Sequence, residues 1–287
     1  MAACNWDDAL IVLSVTSGVT DLLLNFLFHA HRAGVDLAHV RVIAYDNASR
    51  SVADGCLGPG RTLTPASRVV LGDYIYGQQS FFKIQVNKLP AVRRLLATER
   101  RPIVFSDIDT VWLQNPARAL LSRSNASFQI APDGSGVHAR DPTKRDMGCG
   151  CFFAACNDAV GEDILKRWDA ATSRGWHSPH GAAEQDTFNQ KVLSARAADV
   201  RILPSRSMPS GRGNPKPRAE TVWLHANWLR GNKQKKQRLP FSTRTRAISS
   251  CGPLPTRGTT SNRATWRLRG TNTRRGSASQ RRRGRAG

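Results

Sequence analysis

Two aspartates separated by one residue, Asp107 and Asp109, follow closely on a short apolar run at Ile103–Phe105. Residues two apart in an extended backbone project to the same side, so both carboxylates can face one ligand while Ile108 points into the core. Carboxylate oxygens suit hard divalent cations such as Mg²⁺ and Mn²⁺, and a cation would relieve the repulsion between the two charges. The same spacing is common in solvated loop tips, so the pair alone leaves a metal site and a surface turn open.

The segment Asp107–Val111 also fits a second kind of chemistry. Its sequence, DIDTV, matches the DxDx(T/V) nucleophile motif of haloacid-dehalogenase-like phosphatases, in which Asp107 would attack phosphorus and Asp109 would be the acid/base. Such an enzyme also needs a downstream lysine and a late acidic pair for its Mg²⁺ site, and residues 161–169 hold the only candidates. The hydrophobic period there is typical of an ordinary helix. A Mg²⁺-dependent phosphatase is therefore an alternative interpretation that fits the sequence poorly.

A longer segment around the aspartates, Phe105–Pro116, reads FSDIDTVWLQNP. It resembles the FSDVDVVWLRNP-like signature of the nucleotide-diphospho-sugar transferase domain in glycosyltransferase family 77, a plant and algal family of arabinosyl- and xylosyltransferases. Further segments resemble parts of that domain in the same order, over about residues 9–239. They are IVLSVTSG with VIAYD, the helix FKIQVNKLPAVRRLL, the strand CGCFFAAC, and the segments EQDTFNQ and WLHANWLRGNKQK.

The resemblance implies a fold and a reaction. The fold would be α/β, a GT-A-type, Rossmann-like mixed sheet flanked by helices in a single domain. The reaction would move a hexose or pentose from a nucleotide-diphosphate sugar, UDP-linked, to a glycan or glycoprotein acceptor such as a cell-wall glycan, with retention of configuration. Asp107 and Asp109 would hold Mn²⁺ or Mg²⁺, which would bind the diphosphate and neutralise its charge as it leaves. His225 would be the third protein ligand of the cation.

The resemblance also assigns the other site residues. Glu184, Gln185 and Asp186 begin a helix and would be the catalytic residues on the acceptor side, with Asp186 or Glu184 as the only obvious nucleophiles. The donor-binding residues would be Thr16, Asp46, Lys88, Asp107, Gly150, Asn227, Gly231 and Lys233. Lys235 is an alternative to Lys233 as the positively charged side chain that faces the diphosphate. One departure from the family pattern is Gly148, which stands where the family has asparagine.

Strands and helices alternate along the body of the chain. Apolar runs predict strands at Ala9–Val15 and Val40–Asp46, and the segment between them has the helical period. A long helix is predicted from about Gln78 to Thr98, with Pro90 as a kink or break, and residues 47–76 are predicted to be irregular. Because ligands of α/β sheets bind at the carboxyl ends of strands, this order places the polar residues at one edge of a sheet.

The basic charge of the chain is concentrated at its C-terminus. The sequence carries 43 Lys and Arg against 21 Asp and Glu, a net charge of +22, and the last 57 residues hold 16 of those bases and no acid. Residues 1–239 are predicted to form the transferase domain, and residues 240–287 a disordered basic tail whose composition cannot bury enough apolar surface to fold. The tail raises a third interpretation, a basic nucleic-acid-binding protein. The body lacks a basic stripe with interleaved aromatic residues, so no nucleic-acid partner is expected.

The cysteines and the N-terminus bear on the cellular compartment. The six cysteines are too few and too scattered for a disulfide scaffold and are predicted to be core or loop thiols. Cys149 and Cys151 have one intervening residue rather than the two of usual zinc ligand pairs. The chain shows no signal peptide or membrane-spanning segment, whereas the resemblance implies a Golgi-lumen enzyme behind an N-terminal anchor, so we expect a truncated gene model. Asn47 and Asn125 begin glycosylation sequons.

Overall fold

The computed structural model describes residues 4–65, 79–133, 147–175, 184–209, 217–226 and 232–239. The strands in these ranges are β1 (Leu10–Val15), β2 (Val40–Ala44), β3 (Thr62–Leu63), β4 (Ile103–Ser106), β5 (Thr110–Trp112), β6 (Phe128–Pro132), β7 (Gly148–Ala155), β8 (Val200–Ile202) and β9 (Trp223–His225). The α-helices are α1 (Thr20–Arg32), α2 (Asn47–Leu57), α3 (Gln79–Glu99), α4 (Pro116–Ala119), α5 (Ala159–Gly175), α6 (Glu184–Thr187) and α7 (Asn232–Arg238). A π-helical segment, Phe188–Leu193, continues α6.

The main sheet is mixed and has seven strands in the order β3-β2-β1-β4-β7-β6-β8. Strand β1 pairs in parallel with β2 and β4, and β2 pairs in parallel with β3. Strand β7 runs antiparallel to both β4 and β6, and β8 is parallel to β6. Strands β5 and β9 form a separate antiparallel pair. The predicted α/β class, a mixed sheet flanked by helices, is confirmed.

The central strands of the main sheet are buried on both faces, whereas the edge strands β3 and β8 are half-buried. In β1, Ile11, Leu13 and Val15 belong to an apolar cluster that includes α1, whereas Leu10 and Val12 belong to a second cluster that includes α3 and α5. The alternation follows from the period of two of a strand. Burial on both faces explains why the sequence of β1 is a continuous apolar run. Helices packed on both faces thereby fix the strand ends where the polar residues lie.

The segment after β2 is more regular than predicted. The prediction of irregular structure over residues 47–76 is wrong in its first part, because α2 and β3 lie there. Asp46 is the N-cap of α2 and accepts a hydrogen bond from the Ser49 N–H, while the Ser49 side chain bonds the Asp46 backbone. This reciprocal capping box starts a helix whose weakly apolar sequence gave no other helical signal.

Helix α3 agrees with its predicted span and continues through Pro90 without a break. A proline inside a helix removes one backbone hydrogen bond and costs roughly 3 kcal/mol. Leu89 and Val92, on either side of it, are fully buried. Their packing against the sheet offsets that cost, so the helix stays continuous where its sequence favours a break.

The prediction that the cysteines are thiols is wrong. Cys4 is disulfide-bonded to Cys156, Cys149 is bonded to Cys151, and Cys56 is also disulfide-bonded. The first bond joins residues 152 positions apart, with a Cα–Cα distance of 5.8 Å. Only the fold, which places the segment before β1 beside the end of β7, brings those two residues together, and sequence spacing cannot show it.

The predicted basic tail, residues 240–287, lies outside the described residues, so the division of the chain at residue 239 stays a prediction. Among the helices of the described ranges, none has both the length and the apolar character needed to cross a bilayer.

Candidate active site

The two aspartates lie in the tight turn that leads from β4 of the main sheet into β5. The Asp107 N–H donates to the Cys151 carbonyl at 2.8 Å, which continues the β4–β7 ladder by one hydrogen bond. The Thr110 hydroxyl donates to the Asp107 carbonyl at 2.7 Å and closes the turn. Ile108 between the aspartates is buried in the core, as its position in the motif predicts. Both carboxylates are therefore presented by fixed backbone.

His225 is brought to the aspartates by the small sheet. It is the last residue of β9 and stands directly opposite Thr110 in β5. Its Nε2 atom lies 3.3 Å from an Asp109 carboxylate oxygen and 4.0 Å from one of Asp107. One ligand atom from each of these three residues lies within 4.8 Å of the others. Two carboxylates and one imidazole at that separation fit a divalent cation that accepts both oxygen and nitrogen ligands, as Mn²⁺ does.

The two carboxylates differ in their electrostatic surroundings. Burial raises the pKa of Asp107 to about 6, partly countered by Lys88 and reinforced by Asp109. Burial also opposes ionisation of Asp109, but Lys235 and His225 outweigh it and hold the pKa of Asp109 well below its usual range. The Lys235 ammonium donates to Asp109 at 2.6 Å. Burial alone would lower the pKa of Lys235, but the Asp109 carboxylate raises it. Asp109 is therefore the more readily ionised of the two carboxylates.

A buried ion pair forms the second part of the site. Lys88 of α3 and Glu184 of α6 are 96 positions apart, and their charged groups meet at 2.7 Å with each side chain only 4% exposed. The Lys88 ammonium also donates to the Gly150 carbonyl at 3.1 Å and lies 4.7 Å from the centre of the Phe105 ring. One Glu184 carboxylate oxygen, Oε1, faces Lys88, and the other, Oε2, is buried without a hydrogen-bond partner.

Gly150 makes this ion pair possible, because a Cβ atom there would stand 2.7 Å from Glu184 Oε1. We expect Gly150→Ala to displace the Glu184 carboxylate and to destabilise the fold by about 1–3 kcal/mol, as overpacking does in cores. Gly55→Ala is the matched control, since a Cβ at Gly55 meets nothing within 4 Å on the exposed side of α2 and should stabilise that helix. Urea unfolding of both variants measures the difference. Equal stabilities for the two would contradict the packing argument.

The two aspartates and the Lys88–Glu184 pair line one cavity of about 140 Å³. Its polar lining includes Thr16, Lys88, Asp107, Asp109, Glu184 and Lys235. Its apolar wall comes from the end of β1, the start of α1 and Tyr45 after β2. The cavity therefore lies at the carboxyl ends of β1, β2 and β4, where an α/β sheet binds its ligands.

Other predicted site residues lie elsewhere. Asp46 holds two backbone N–H groups, those of Ser49 and of Ser17, the latter at 2.7 Å, so both of its oxygens serve the fold. Gln185 and Asp186 follow Glu184 on α6, and Asp186 is exposed. Their donor and catalytic roles stay predictions. The predicted residues Asn227 and Gly231 lie outside the described residues.

Of the two lysines predicted as alternatives, Lys233 and Lys235, the second lines the cavity. Both are on α7, but Lys233 is exposed, whereas Lys235 lines the cavity. A basic run does not reveal which of its members faces inward, because that depends on where the helix docks.

The sequence reasoning also missed Gln85, which lines the cavity one helical turn before Lys88 with a buried and unbonded Oε1 atom. Gln85 lies three positions before Lys88, so the two side chains share one face of the helix, and this spacing could have indicated that Gln85 belongs to the site.

Residues 36–239 match the protein family described as nucleotide-diphospho-sugar transferase. The chain belongs to this family. The match covers the aspartate turn, the Lys88–Glu184 pair and His225, and it confirms the family resemblance and, with the observed sheet, the predicted fold class.

Two curated proteins of Arabidopsis thaliana are similar to this chain. UDP-D-xylose:L-fucose alpha-1,3-D-xylosyltransferase 3 is 24% identical over 254 residues, 81% of this chain and 65% of that protein. UDP-D-xylose:L-fucose alpha-1,3-D-xylosyltransferase is 23% identical over 246 residues, 79% of this chain and 66% of that protein. The chain thus spans slightly under two thirds of their length. The crystal structure of mouse xyloside xylosyltransferase 1 in its apo form is 14% identical, with a TM-score of 0.49, over 77% of this chain and 98% of that one.

Proposed function

We propose that this protein is a metal-dependent glycosyltransferase that moves a sugar, a pentose such as xylose, from a UDP-sugar to a glycan or glycoprotein acceptor. The observation that carries the proposal is that Asp107 and Asp109, which His225 approaches from behind as a third potential metal ligand, line one cavity together with the Lys88–Glu184 pair. Family membership supports the reaction class, and the names of the two Arabidopsis relatives support UDP-xylose as the first donor to test.

The proposed ligands of Mn²⁺ or Mg²⁺ are Asp107, Asp109 and His225, and the bound cation would supply the charge that stabilises a leaving diphosphate. Lys235 is a second source of positive charge at the same place. Its ammonium can exchange the Asp109 oxygen for a diphosphate oxygen, because both are charge-assisted acceptors and Lys235 lines the cavity. The side chains on this wall therefore favour a nucleoside diphosphate as the leaving group.

Glu184 is the proposed contact to the transferred sugar. Lys88 fixes its Oε1 atom, and its unbonded Oε2 atom can accept a hydrogen bond from a sugar hydroxyl. Gln185 and Asp186, on the same short helix, would lie on the acceptor side. Retention of configuration requires leaving-group departure and acceptor attack on one face of the sugar, and we propose that face to be the one toward α6.

The proposed compartment is the Golgi lumen. All of the described cysteines are disulfide-bonded, and besides Cys149 and Cys151 these are Cys4, Cys56 and Cys156. Disulfides persist in oxidising compartments and are rare in the cytosol. Bonded cysteines and a family whose known substrates are sugar nucleotides and glycans are both compatible with a secretory-pathway enzyme.

The proposal is tested by UDP release from a panel of UDP-sugars, UDP-xylose and UDP-arabinose included, with Mn²⁺, with Mg²⁺ and with a chelator. We expect UDP release from at least one pentose donor that the chelator abolishes and that added metal restores. Absence of release from every donor would count against the transferase. Turnover of para-nitrophenyl phosphate in the same buffers would favour the phosphatase, and binding of RNA would favour the nucleic-acid interpretation.

Lys235→Gln is expected to change metal and donor binding in opposite directions. Removing the ammonium that neutralises Asp109 should raise affinity for Mn²⁺ alone by about tenfold, or ~1.4 kcal/mol. The same change should weaken binding of UDP in the presence of Mn²⁺, because the diphosphate loses a charged partner. Lys233→Gln on the exposed side of the same helix is the control and should change neither. Manganese titration followed by electron paramagnetic resonance measures both affinities, and unchanged values for Lys235→Gln would rule out the exchange.

A further inference from the structure

A second group of potential metal ligands lies behind the aspartates. Cys149 and Cys151 on β7 each offer a sulfur, and His225 offers a ring nitrogen, with the three atoms within 4.8 Å of one another. All three residues are buried, at 2%, 4% and 6% exposure. The His225 Nδ1 atom has no hydrogen-bond partner, so one ring nitrogen is unused by the fold. Nothing in the proposed transfer reaction uses the two sulfurs.

A bulge in β7 brings the two cysteines together. The β6–β7 register changes between Ile130, which is opposite Phe153, and Ala131, which is opposite Cys149. The intervening residues of β7 therefore have no partner on β6, and the strand contracts there. The Cα atoms of Cys149 and Cys151 are 5.2 Å apart, shorter than the roughly 6.6 Å of two steps along an extended strand. The backbone itself thus holds the two sulfur positions on one face at close range.

Two thiolates and an imidazole are the ligand types of zinc sites. Zinc takes Cys sulfur at about 2.3 Å and His nitrogen at about 2.0–2.1 Å in tetrahedral geometry, which places two thiolates roughly 3.8 Å apart. Side chains on Cα atoms at this separation can span either that distance or a disulfide bond. A set of two Cys and one His fills three positions and leaves the fourth to water, as in zinc sites with an open position.

We propose that Cys149, Cys151 and His225 form a redox-gated zinc site that is closed as the disulfide and opened by a small dithiol. Reduction transfers two electrons and two protons from the dithiol to the Cys149–Cys151 bond, giving two thiols and the cyclic disulfide of the reagent. Zinc binding then displaces the two thiol protons to solvent and forms two Zn–S bonds and one Zn–N bond. The disulfide form has no thiolate and cannot bind zinc in this way.

His225 belongs to both groups of potential metal ligands, so a metal ion bound to one group affects binding to the other. A neutral imidazole has one acceptor nitrogen, because the other carries a proton, so His225 ligates one ion at a time. Thiolates select soft or borderline ions such as Zn²⁺, whereas Asp107 and Asp109 select hard ions. Zinc on the sulfurs therefore removes the nitrogen ligand from the aspartates and weakens Mn²⁺ there. The consequence for the proposed transferase would be inhibition under reducing, zinc-containing conditions.

The experiment uses Co²⁺ as a spectroscopic substitute for Zn²⁺. The native protein is treated with a small dithiol, desalted without oxygen and titrated with Co²⁺. Thiolate ligation produces near-ultraviolet sulfur-to-cobalt charge-transfer absorption, which oxygen and nitrogen ligands do not produce. We expect this absorption at one Co²⁺ per chain after treatment, none in untreated protein, and displacement by one Zn²⁺. We also expect affinity for Mn²⁺ to fall at least tenfold with Zn²⁺ bound and to return on its removal.

Variants separate this site from the rest of the chain. Cys149→Ser/Cys151→Ser should lose the absorption under every condition, whereas Cys4→Ser/Cys156→Ser, which removes the Cys4–Cys156 disulfide, should keep it. Cys151→Ser alone serves if the double variant does not fold. No absorption in treated wild-type protein, whether or not thiols are released, overturns the proposal, as does equal absorption in Cys149→Ser/Cys151→Ser. Failure here is independent of the transfer reaction, because UDP release is measured on untreated protein without zinc.

Discussion

Asp109→Asn is expected to lower metal-dependent UDP release by about 10²–10³-fold, the loss typical of removing one preorganised electrostatic contact in an active site. Asp109 is 6% exposed, and Lys235 and His225 hold its pKa below the usual range, which favours its ionised form. Asparagine keeps the shape and one oxygen but not the charge. The loss should therefore appear in Mn²⁺ affinity as well as in turnover, and a manganese titration without donor measures it directly.

A matched control for this variant is Asp7→Asn. Asp7 also pairs with a cation, Arg118 at 3.0 Å, but its side chain is 60% exposed. Exposed pairs contribute about 0–1 kcal/mol, so that variant should keep wild-type Mn²⁺ affinity and turnover within a factor of two. Wild-type Mn²⁺ affinity in Asp109→Asn would exclude the aspartate turn as the metal site, even if turnover fell. Reduced turnover and Mn²⁺ affinity together would place the defect in metal binding.

The aspartate turn could be predicted from sequence because its cause is local. A buried strand, two aspartates two positions apart and a following apolar run all lie within residues 102–116, and in the structure the aspartates stand in the turn between β4 and β5. His225 was predicted only through the resemblance. Its position depends on the pairing of β9 with β5, 115 residues earlier in the chain at Thr110, and no local pattern encodes that register.

The Lys88–Glu184 contact shows where sequence reasoning ends. Both residues were predicted to belong to the site, Lys88 as a donor-binding residue and Glu184 as a catalytic residue, but their contact with each other was not predicted. Their meeting depends on α3 and α6 being brought together at Gly150 of β7, which has no side chain to separate them. Such contacts follow from packing of distant elements. The Cys4–Cys156 disulfide has the same origin, since its two residues become neighbours only when β1 enters the sheet beside β4.

Lys88→Met is expected to destabilise the fold by about 3–5 kcal/mol, because it leaves the Glu184 carboxylate buried without its cation. Both side chains are 4% exposed, so water cannot replace the lost charge. Methionine nearly matches the lysine side chain in length, which limits the effect of a cavity. Arg167→Met is the control, since Arg167 pairs with Asp163 one turn away on the exposed face of α5 and should cost roughly 0.5 kcal/mol or less. Urea unfolding of the two variants measures the difference.

The double variant Lys88→Met/Glu184→Met separates stability from function. Replacing a whole buried ion pair by apolar side chains of similar size is often neutral, so the double variant should regain most of the stability that Lys88→Met loses. It should nevertheless remain inactive in UDP release, because the proposed hydrogen-bond acceptor for the sugar, Glu184 Oε2, is gone. A double variant with wild-type turnover would reduce the pair to a structural role. If instead the double variant is as unstable as Lys88→Met alone, the cost comes from the lost Lys88–Gly150 hydrogen bond rather than from an unpaired charge.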